Sequence, residues 1–485
     1  MIPTDYEQVG FKCGIEIHNR LATKHKLFCN CSPRFSTARS IATVKRNLRA
    51  VAGELGTKDA TAVFEYLRNR TFFYEKYPQE TCLVEEDEEP PHEVNREALE
   101  VVLQVAKFLR AEIPDEIQFM RKTVVDGSNT AGFQRTAIVG MNGRLETSKG
   151  IVRVANISLE EESAGIVSHE DGNIVYRLDR LGIPLIEIGT EADVKDPEHA
   201  REVAEKLGMI VRSTGKSQRG IGVTRQDLNV SVRGGARVEV KGFQELDMIP
   251  KVLDGEVQRQ LELLKEGKQV EEETRQAQPD GTTKFMRPLP GGERMYPETD
   301  VPTIPITKEM LAKINIPENW EQKLERLKQS LPADLAEQVL KSEYLELFER
   351  LSKNYEPMLV ATMLVSTLKD LRRRGIAVDK LSDNHIEGVM QAIKMGKTAK
   401  ESVPKLLEVL AGKPSLTAGE AITELGAGAL TEHELREIVK KTFEKFPDLV
   451  RDNKQGALMG EVMKAVRGRI DGGTVAKVLK EMLGQ

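Results

Sequence analysis

Cysteine is scarce, with four in 485 residues, alongside one tryptophan and seven histidines. So few thiols cannot lay down a disulfide framework, and a reducing cytoplasm is the expected setting. No apolar run reaches the length needed to cross a bilayer, so no membrane span is expected. The opening stretch MIPTDYEQVG lacks both a basic start and an apolar core, so no signal peptide is expected there. Charge is nearly balanced, at a net −5, too little of either sign to hold a polyanion by bulk attraction. Any contact with nucleic acid would rest on local patches. The Walker-type phosphate loop and the dinucleotide fingerprint are both missing. So is a Ser-Lys or Cys-His set that would hydrolyse amides.

What is present is charge (30% of residues) with a moderate apolar share (39%), a balance that suits a globular chain with long charged helices. The length calls for several domains. Before residue 300, short β-branched runs such as KTVVDG, RTAIVG, GIVRVANISL, IPLIEIG, LNVSV and ARVEVKG alternate with loops rich in glycine and charge. Helical patterns interrupt them from Asn95, from Asp196 (an Asp-Pro start) and in MIPKVLDGEVQRQLELLKEG. From Thr307 onward the periodicity is almost entirely helical. The expected fold class is therefore α+β in several domains. A mixed α/β domain with a β-sheet is expected over 1–300, an all-α domain over 301–412, and a small helical tail domain over 413–485.

Residues able to carry chemistry concentrate in the strand region. GIEIH, residues 14–18, alternates isoleucine with Glu16 and His18, which puts a carboxylate and an imidazole on one strand face. LEEESAG carries Glu160, Glu161 and Glu162 directly after an apolar strand. IPLIEIG sets Glu187 inside an apolar run, where an uncompensated carboxylate is costly; a core salt bridge accounts for it as well as a ligand role does. Together Glu16, His18, Glu161 and Glu187 offer oxygen-rich ligation with one imidazole, which suits Mg²⁺ or Mn²⁺ in a site that handles phosphate. VVDGSNTAGFQRTAIVG reads either as hairpin turns or as amides that cradle phosphate. Zinc would need Cys13, Cys29, Cys31 and Cys82 together, or three of them with His25. The CNC pair is closer than the usual spacing and has no second pair, so buried free thiols without zinc are expected.

Four blocks taken together, GIEIHNRLATKHKLFCNCS, YRLDRLGIPLIEIGTEADVKDPEHA, TRQDLNVSVRGGARVEVKGFQEL and FMRPLPGGERMYPETDVP, resemble the B/E subunits of tRNA-dependent amidotransferases. The resemblance runs from about residue 9 to the end. CLVEEDEEPPHEVN, LEEESAG and RMYPETD are closer to the archaeal E branch than to the bacterial B branch, in which the last motif reads nearer to Y-F-P-E-P-D. The resemblance implies a ligase with a cradle-like catalytic domain. ATP phosphorylates the glutamate carboxylate on glutamyl-tRNA(Gln), and ammonia from a separate amidase displaces the phosphate to leave glutaminyl-tRNA(Gln). It also implies ATP and Mg²⁺ (or Mn²⁺) as cofactors. The implied partners are tRNA(Gln) carrying glutamate and an asparaginase-like amidase, the D subunit of this family's complexes, assembled as two D and two E subunits.

Carried across by position, the family's catalytic and metal ligands fall on Glu16, His18, Glu161 and Glu187, with Glu160 adjacent. Arg121, Lys122, Arg135 and Arg180 are implied phosphate contacts for ATP, and Arg294 and Tyr296 lie near the substrate end. Lys397, Lys400, Lys405, Lys464, Arg467 and Arg469 are implied contacts to the tRNA body. Two departures stand out. E subunits usually carry an inserted domain where only KEGKQV (residues 265–270) stands here, so tRNA selectivity tied to that insert does not transfer. Ser158 stands where B subunits usually have histidine. Two other readings compete with the ligase: a non-catalytic tRNA-binding protein, and a stand-alone metal-dependent ligase of a small carboxylic acid.

Overall fold

The computed structural model describes residues 5–49, 52, 56–58, 60–170, 172–220, 222–243, 245–289, 295–466, 469–470 and 472–483. The chain divides into two compact units, Met1–Trp320 and Glu321–Gln485. No helix among the described residues is long and apolar enough to cross a membrane.

The first unit is built on a ten-stranded sheet. Its strands are β1 (Lys12–Arg20), β2 (Phe119–Thr123), β3 (Phe133–Thr147), β4 (Gly150–Glu161) and β5 (Pro184–Thr190). The others are β6 (Thr224–Ser231), β7 (Val238–Lys241), β8 (Glu273–Ala277), β9 (Thr283–Pro288) and β10 (Met295–Pro297). The spatial order is β9-β8-β7-β6-β1-β5-β4-β3-β2-β10. The pairs are antiparallel except β7 with β8, which are parallel, so β1 lies mid-sheet between β6 and β5.

One face of this sheet is apolar because every second residue along the central strands is. Ile15 and Ile17 of β1, Ile186 and Ile188 of β5, Ile157 and Leu159 of β4, and Leu228 and Val230 of β6 are all buried in one core. Three amphipathic helices supply its other half: α1 (Arg96–Phe108), α2 (Pro197–Ser213) and α3 (Met248–Lys265). Their starts follow the cap chemistry read from the sequence. The Asn95 side chain accepts from the Ala98 amide, and Asp196 accepts from the His199 amide ahead of Pro197. α3 ends where Gly267 takes φ +70°, with the Lys268 amide bonded to the Leu263 carbonyl. That is a Schellman closure, and it turns the chain directly toward β8 through residues 266–272.

A second, four-stranded sheet pairs Ala42–Arg46, Thr71–Lys76, Asn173–Arg177 and Gly165–Glu170 in that order. Its small core includes Phe72, Tyr74, Ile174 and Tyr176. Tyr74 and Tyr176 donate to the carbonyls of Gly127 and Asp126, at 2.7 and 3.0 Å, and so pin the glycine-rich loop that follows β2. Gly127 has φ +91°, and a Cβ there would lie 2.2 Å from the Phe72 ring. Close approach, as well as turning, requires this glycine.

The second unit is helical, as its periodicity predicts. Ala333–Lys341, Leu345–Leu351, Asp383–Lys394, Val403–Gly412 and Ala418–Leu425 are followed by Glu432–Lys445, Gln455–Val466 and Gly472–Met482. Ser382, Thr417 and Thr431 each close a reciprocal capping box. The last three helices share a core of their own, with Leu435, Val439, Leu458, Val462, Val475 and Val478.

Candidate active site

The face of the large sheet opposite the three helices is polar and hollow. Because side chains alternate along a strand, the isoleucines of GIEIH go to the core while Glu16, His18 and Arg20 form a row on the hollow face. Register then decides which partners they meet. Glu187 of β5 and Arg225 of β6 lie opposite His18, on either side of β1, and Asp227 lies opposite Glu16. The cavity this face walls measures about 400 Å³. Glu16, His18, Lys122, Glu187, Arg225, Asp227, Glu239 and Lys241 line it, with Asp126 and Ser128 from the pinned loop.

Two candidate ligand sets sit side by side at its wall. In the first, donor atoms of His18, Glu160 and Glu187 lie within 4.8 Å of one another; in the second, those of Glu16, Asp227 and Glu239 do. His18 Nε2 is 3.0 Å from Glu187 Oε2, and its Nδ1 is 4.0 Å from Asp227 Oδ2, so the one imidazole faces both sets. Glu160 is fully buried and held by three donors: Lys122 Nζ at 2.6 Å, Thr136 Oγ1 at 2.8 Å and Gln134 Nε2 at 3.0 Å. Lys122 also reaches Glu187 at 3.6 Å. Lys241 bridges Asp227 (2.5 Å) and Glu239 (3.1 Å), and Asn229 donates to Glu16 at 3.2 Å.

Crowding of like charge is legible in the ionisations. Burial, then the charge of Glu187, push the Glu16 carboxyl above its ordinary range. Burial works against a charged His18, but the Glu187 hydrogen bond and charge, with Asp227, carry its pKa above the ordinary value. Burial likewise opposes a charged Asp227, yet Lys241 and His18 hold it below. Carboxylates packed with one imidazole are the donor set of a hard divalent ion such as Mg²⁺ or Mn²⁺.

Not every residue named from the sequence reaches this cavity. Glu161 does not face the cavity. Adjacent residues of a strand point to opposite faces, and with Ile157 and Leu159 in the core Glu161 follows them while Glu160 goes to the cavity side. Glu161 accepts from the Arg135 backbone amide at 2.9 Å and lies 3.4 Å from its guanidinium. Arg135 also bonds Glu298 at 2.7 Å, and Arg121 bonds Glu298 at 2.6 Å and Asp300 at 3.0 Å. Arg121 and Arg135 lie over the Phe133 ring, and Tyr296 packs beside Arg121. Arg121, Arg135, Glu161 and Tyr296 therefore form a packed ionic network behind the sheet, off the cavity. Lys122 lines the cavity, and Arg180 approaches it through Glu162, at 3.1 Å. Arg294 and Arg467 lie outside the described residues. Lys397, Lys400, Lys405 and Lys464 belong to the second unit, and Arg469 donates to the Gly428 carbonyl.

That network yields a stability prediction. Glu161→Ala leaves a buried guanidinium short of one carboxylate, and loss of one partner from a buried pair costs about 3 kcal/mol. The midpoint of denaturant unfolding should fall accordingly, while Mn²⁺ affinity of the cavity, measured by calorimetry, stays at the parent value.

All four cysteines are free, and three of them gather in one place. Cys13 is fully buried in β1, apart from the rest. Cys29, Cys31 and Cys82 converge with Glu85, all four offering donor atoms within 4.8 Å of one another. Glu85 accepts from the Cys82 amide at 2.8 Å and meets Lys26 at 3.1 Å. Hydrogen bonds from Cys29 and Cys31 hold the Cys82 thiol far below its ordinary range. The fourth donor of this group is a glutamate three residues after Cys82, in place of Cys13 or His25. Three sulfurs and a carboxylate fit zinc. One equivalent of Zn²⁺ added to metal-free protein should protect three thiols from alkylation and raise the melting temperature. Cys82→Ser should remove both effects.

Asp227, Glu239 and Lys241 were not among the sequence candidates. The signal that marks Glu16 and His18 was there for them too: RQDLNVSV and RVEVKG alternate charged and apolar residues in the same way. The pairing that brings β6 beside β1, and β7 beside β6, was missing from it.

Residues 11–312 match the family described as GatB/GatE catalytic domain, and residues 346–483 match the GatB domain. Three archaeal relatives are named as the E subunit of glutamyl-tRNA(Gln) amidotransferase. The Archaeoglobus fulgidus protein is 38% identical, over 99% of both chains. The Methanosarcina barkeri protein is 36% identical, over 99% of this chain and 98% of its own. The Methanocaldococcus jannaschii protein is 34% identical, over 99% of both. The first of these alignments runs to 612 positions, more than the 485 residues of this chain, so the relative carries residues with no counterpart here. The cavity lies within the span matched to the catalytic domain, and with both matched domains and full-length relatives the chain belongs to the GatB/GatE family.

Proposed function

We propose that this chain is the carboxylate-activating component of a tRNA-dependent amidotransferase. Its substrates on this reading are ATP and the misacylated glutamyl-tRNA(Gln). Its partner is an asparaginase-like amidase that supplies ammonia, the D subunit, in an assembly of two D and two E subunits. The observation that carries the reading is the pair of donor sets, His18/Glu160/Glu187 and Glu16/Asp227/Glu239, whose members other than the fully buried Glu160 line one cavity with Lys122, Lys241 and Arg225.

The chemistry explains why such a cavity is needed. An oxygen of the glutamate side-chain carboxylate attacks the terminal phosphorus of ATP, the bond to ADP breaks, and an acyl phosphate forms. Ammonia then adds to the acyl carbon, phosphate leaves with the bonding electrons, and the nitrogen loses a proton to give the amide. A free carboxylate is a poor acyl donor because its leaving group would be oxide; phosphate removes that obstacle. Transfer directly between two substrates asks for positioning and charge neutralisation, and needs no nucleophile on the protein. Among the described residues no cysteine lines the cavity, and its histidine is engaged by carboxylates.

The residues present fit Mg²⁺ or Mn²⁺: two sets of three donors, mostly carboxylate, one of which (Glu16) is driven above its ordinary pKa by burial and by the charge of Glu187. A bound divalent ion supplies neutralisation of phosphate charge. Lys122 and Lys241 orient the ligand carboxylates, and Thr136 and Gln134 fix the rotamer of Glu160. Val124, Val125, Leu185 and Phe243 give the cavity an apolar wall that lessens competition from water.

The test is ATP turnover by the chain assembled with its amidase partner. It should require glutamyl-tRNA(Gln) and yield glutaminyl-tRNA(Gln). ATP hydrolysis indifferent to the charged tRNA would overturn the reading.

A further inference from the structure

The hollow face of the sheet is electrically graded. Along β1 the row runs Glu16, His18, Arg20, and the facing row on β6 runs Asn229, Asp227, Arg225, so both strands pass from acid to base in the same direction. At the basic end three guanidiniums gather on one carboxylate. Glu162, just past the end of β4 and almost fully buried, accepts from Arg225 at 2.8 Å on both oxygens and from Arg180 at 3.1 Å. Arg20, only 5% exposed, stands within electrostatic reach of the same group and has no carboxylate at ion-pair distance among the described residues. Its guanidinium lies 5.0 Å from the Phe35 ring, a contact that holds its position without cancelling its charge.

Three cations against one anion leave an excess of positive charge beside the cavity, whose wall includes Glu162, Ser163 and Arg225. The excess coincides with unmet hydrogen bonding. The Nε atoms of Arg20, Arg180 and Arg225 are all buried and without a partner among the described residues. Unpaired buried donors are rare, and each one calls for an explanation. A structural ion cluster would close its donors on its own acceptors; here the shared carboxylate meets two of the three guanidiniums and three N–H groups remain.

We propose that Arg20, Arg180 and Arg225 form a phosphate-binding subsite at the end of the cavity opposite the Glu16/Asp227/Glu239 set, with Glu162 as the buried counter-charge that fans the guanidiniums apart. Planar forked donors match phosphate oxygens. The subsite rests on the reading of the cavity as the place where ATP and an aminoacylated RNA meet. Its ligand is a phosphate group, from the polyphosphate of the nucleotide or from the acceptor end of the RNA. Of its three arginines only Arg180 was foreseen as a phosphate contact; Arg20 and Arg225 are assigned by geometry.

The experiment is calorimetric titration of the whole chain, in chelator and without divalent metal, using pyrophosphate as the probe. Arg225→Gln, whose side chain is partly exposed, and Arg20→Gln are compared with the parent after circular dichroism confirms folding. Pyrophosphate should bind the parent and bind either variant at least about 10-fold more weakly, since hydrogen bonds to charged groups carry that much. Displacement of pyrophosphate by ADP assigns the subsite to the nucleotide; displacement by the RNA trinucleotide CCA assigns it to the acceptor end. Undetectable binding to the parent, equal binding by the Arg225→Gln variant, or displacement by neither probe overturns the proposal. The parent's tRNA-dependent ATP turnover is measured in parallel. Turnover without pyrophosphate binding sinks the subsite alone, and pyrophosphate binding without turnover sinks the wider reading alone.

Discussion

Glu187→Gln is expected to lower formation of glutaminyl-tRNA(Gln) by about 10²- to 10³-fold with the fold intact, the loss typical when a preorganised charged group is removed from a transition state. The change keeps the shape of the side chain and deletes its charge. Glu187 stands 3.0 Å from His18 and 3.6 Å from Lys122, so it belongs to one ligand set and also balances the lysine that secures Glu160. A neutral amide there offers one acceptor oxygen in place of two, and leaves Lys122 with Glu160 as its nearer carboxylate. Ammonium chloride in place of the amidase partner isolates the activation step, so the defect should persist with ammonia in excess. Glu161→Gln is the matched control: this acidic neighbour of Glu160 faces the other way. Retention of more than half the parental rate by Glu187→Gln would remove the first ligand set from the mechanism.

Asp227→Asn should act differently. Its carboxylate is held ionised against burial by Lys241 and His18, and it faces both ligand sets. Losing its charge leaves Glu16 and Glu239 with Lys241 between them, a set short of one anion. The Mg²⁺ concentration for half-maximal amidation should rise about 10- to 100-fold, the range seen when a group supporting a metal site is lost, and saturating Mg²⁺ should restore part of the rate. A fall in rate with no change in the Mg²⁺ requirement would make Asp227 a general electrostatic group with no share in holding metal.

How much of this was legible in the sequence differs from element to element. α1 and α2 carry their own start signals, Asn95 and the Asp196-Pro197 pair, and their apolar periodicity selects one buried face, so local chemistry suffices. GIEIH shows its two-faced character directly. The same alternation, applied through Ile157 and Leu159, assigns Glu160 to the cavity side and Glu161 to the other; resemblance to a family locates an acidic run better than it picks the residue within it. Strand order is another matter. That β6 and β5 flank β1, bringing Asp227 and Glu187 to His18, depends on pairing between segments some two hundred residues apart, which no local pattern encodes. The cysteine cluster was hidden for the same reason: Cys29 and Cys31 meet Cys82 and Glu85 through loops, where no periodicity operates. The first compact unit runs on through Trp320, past the change in composition near residue 300, because Ile304, Ile306 and Ile314 pack into the core of the sheet domain.

Anomalous diffraction from crystals grown with Mn²⁺ and a non-hydrolysable ATP analogue tests the central claim most directly. The account predicts manganese peaks between His18, Glu160 and Glu187 and between Glu16, Asp227 and Glu239, with the analogue's phosphates in contact with at least one of them. A cavity free of manganese while the analogue binds elsewhere on the chain would contradict it.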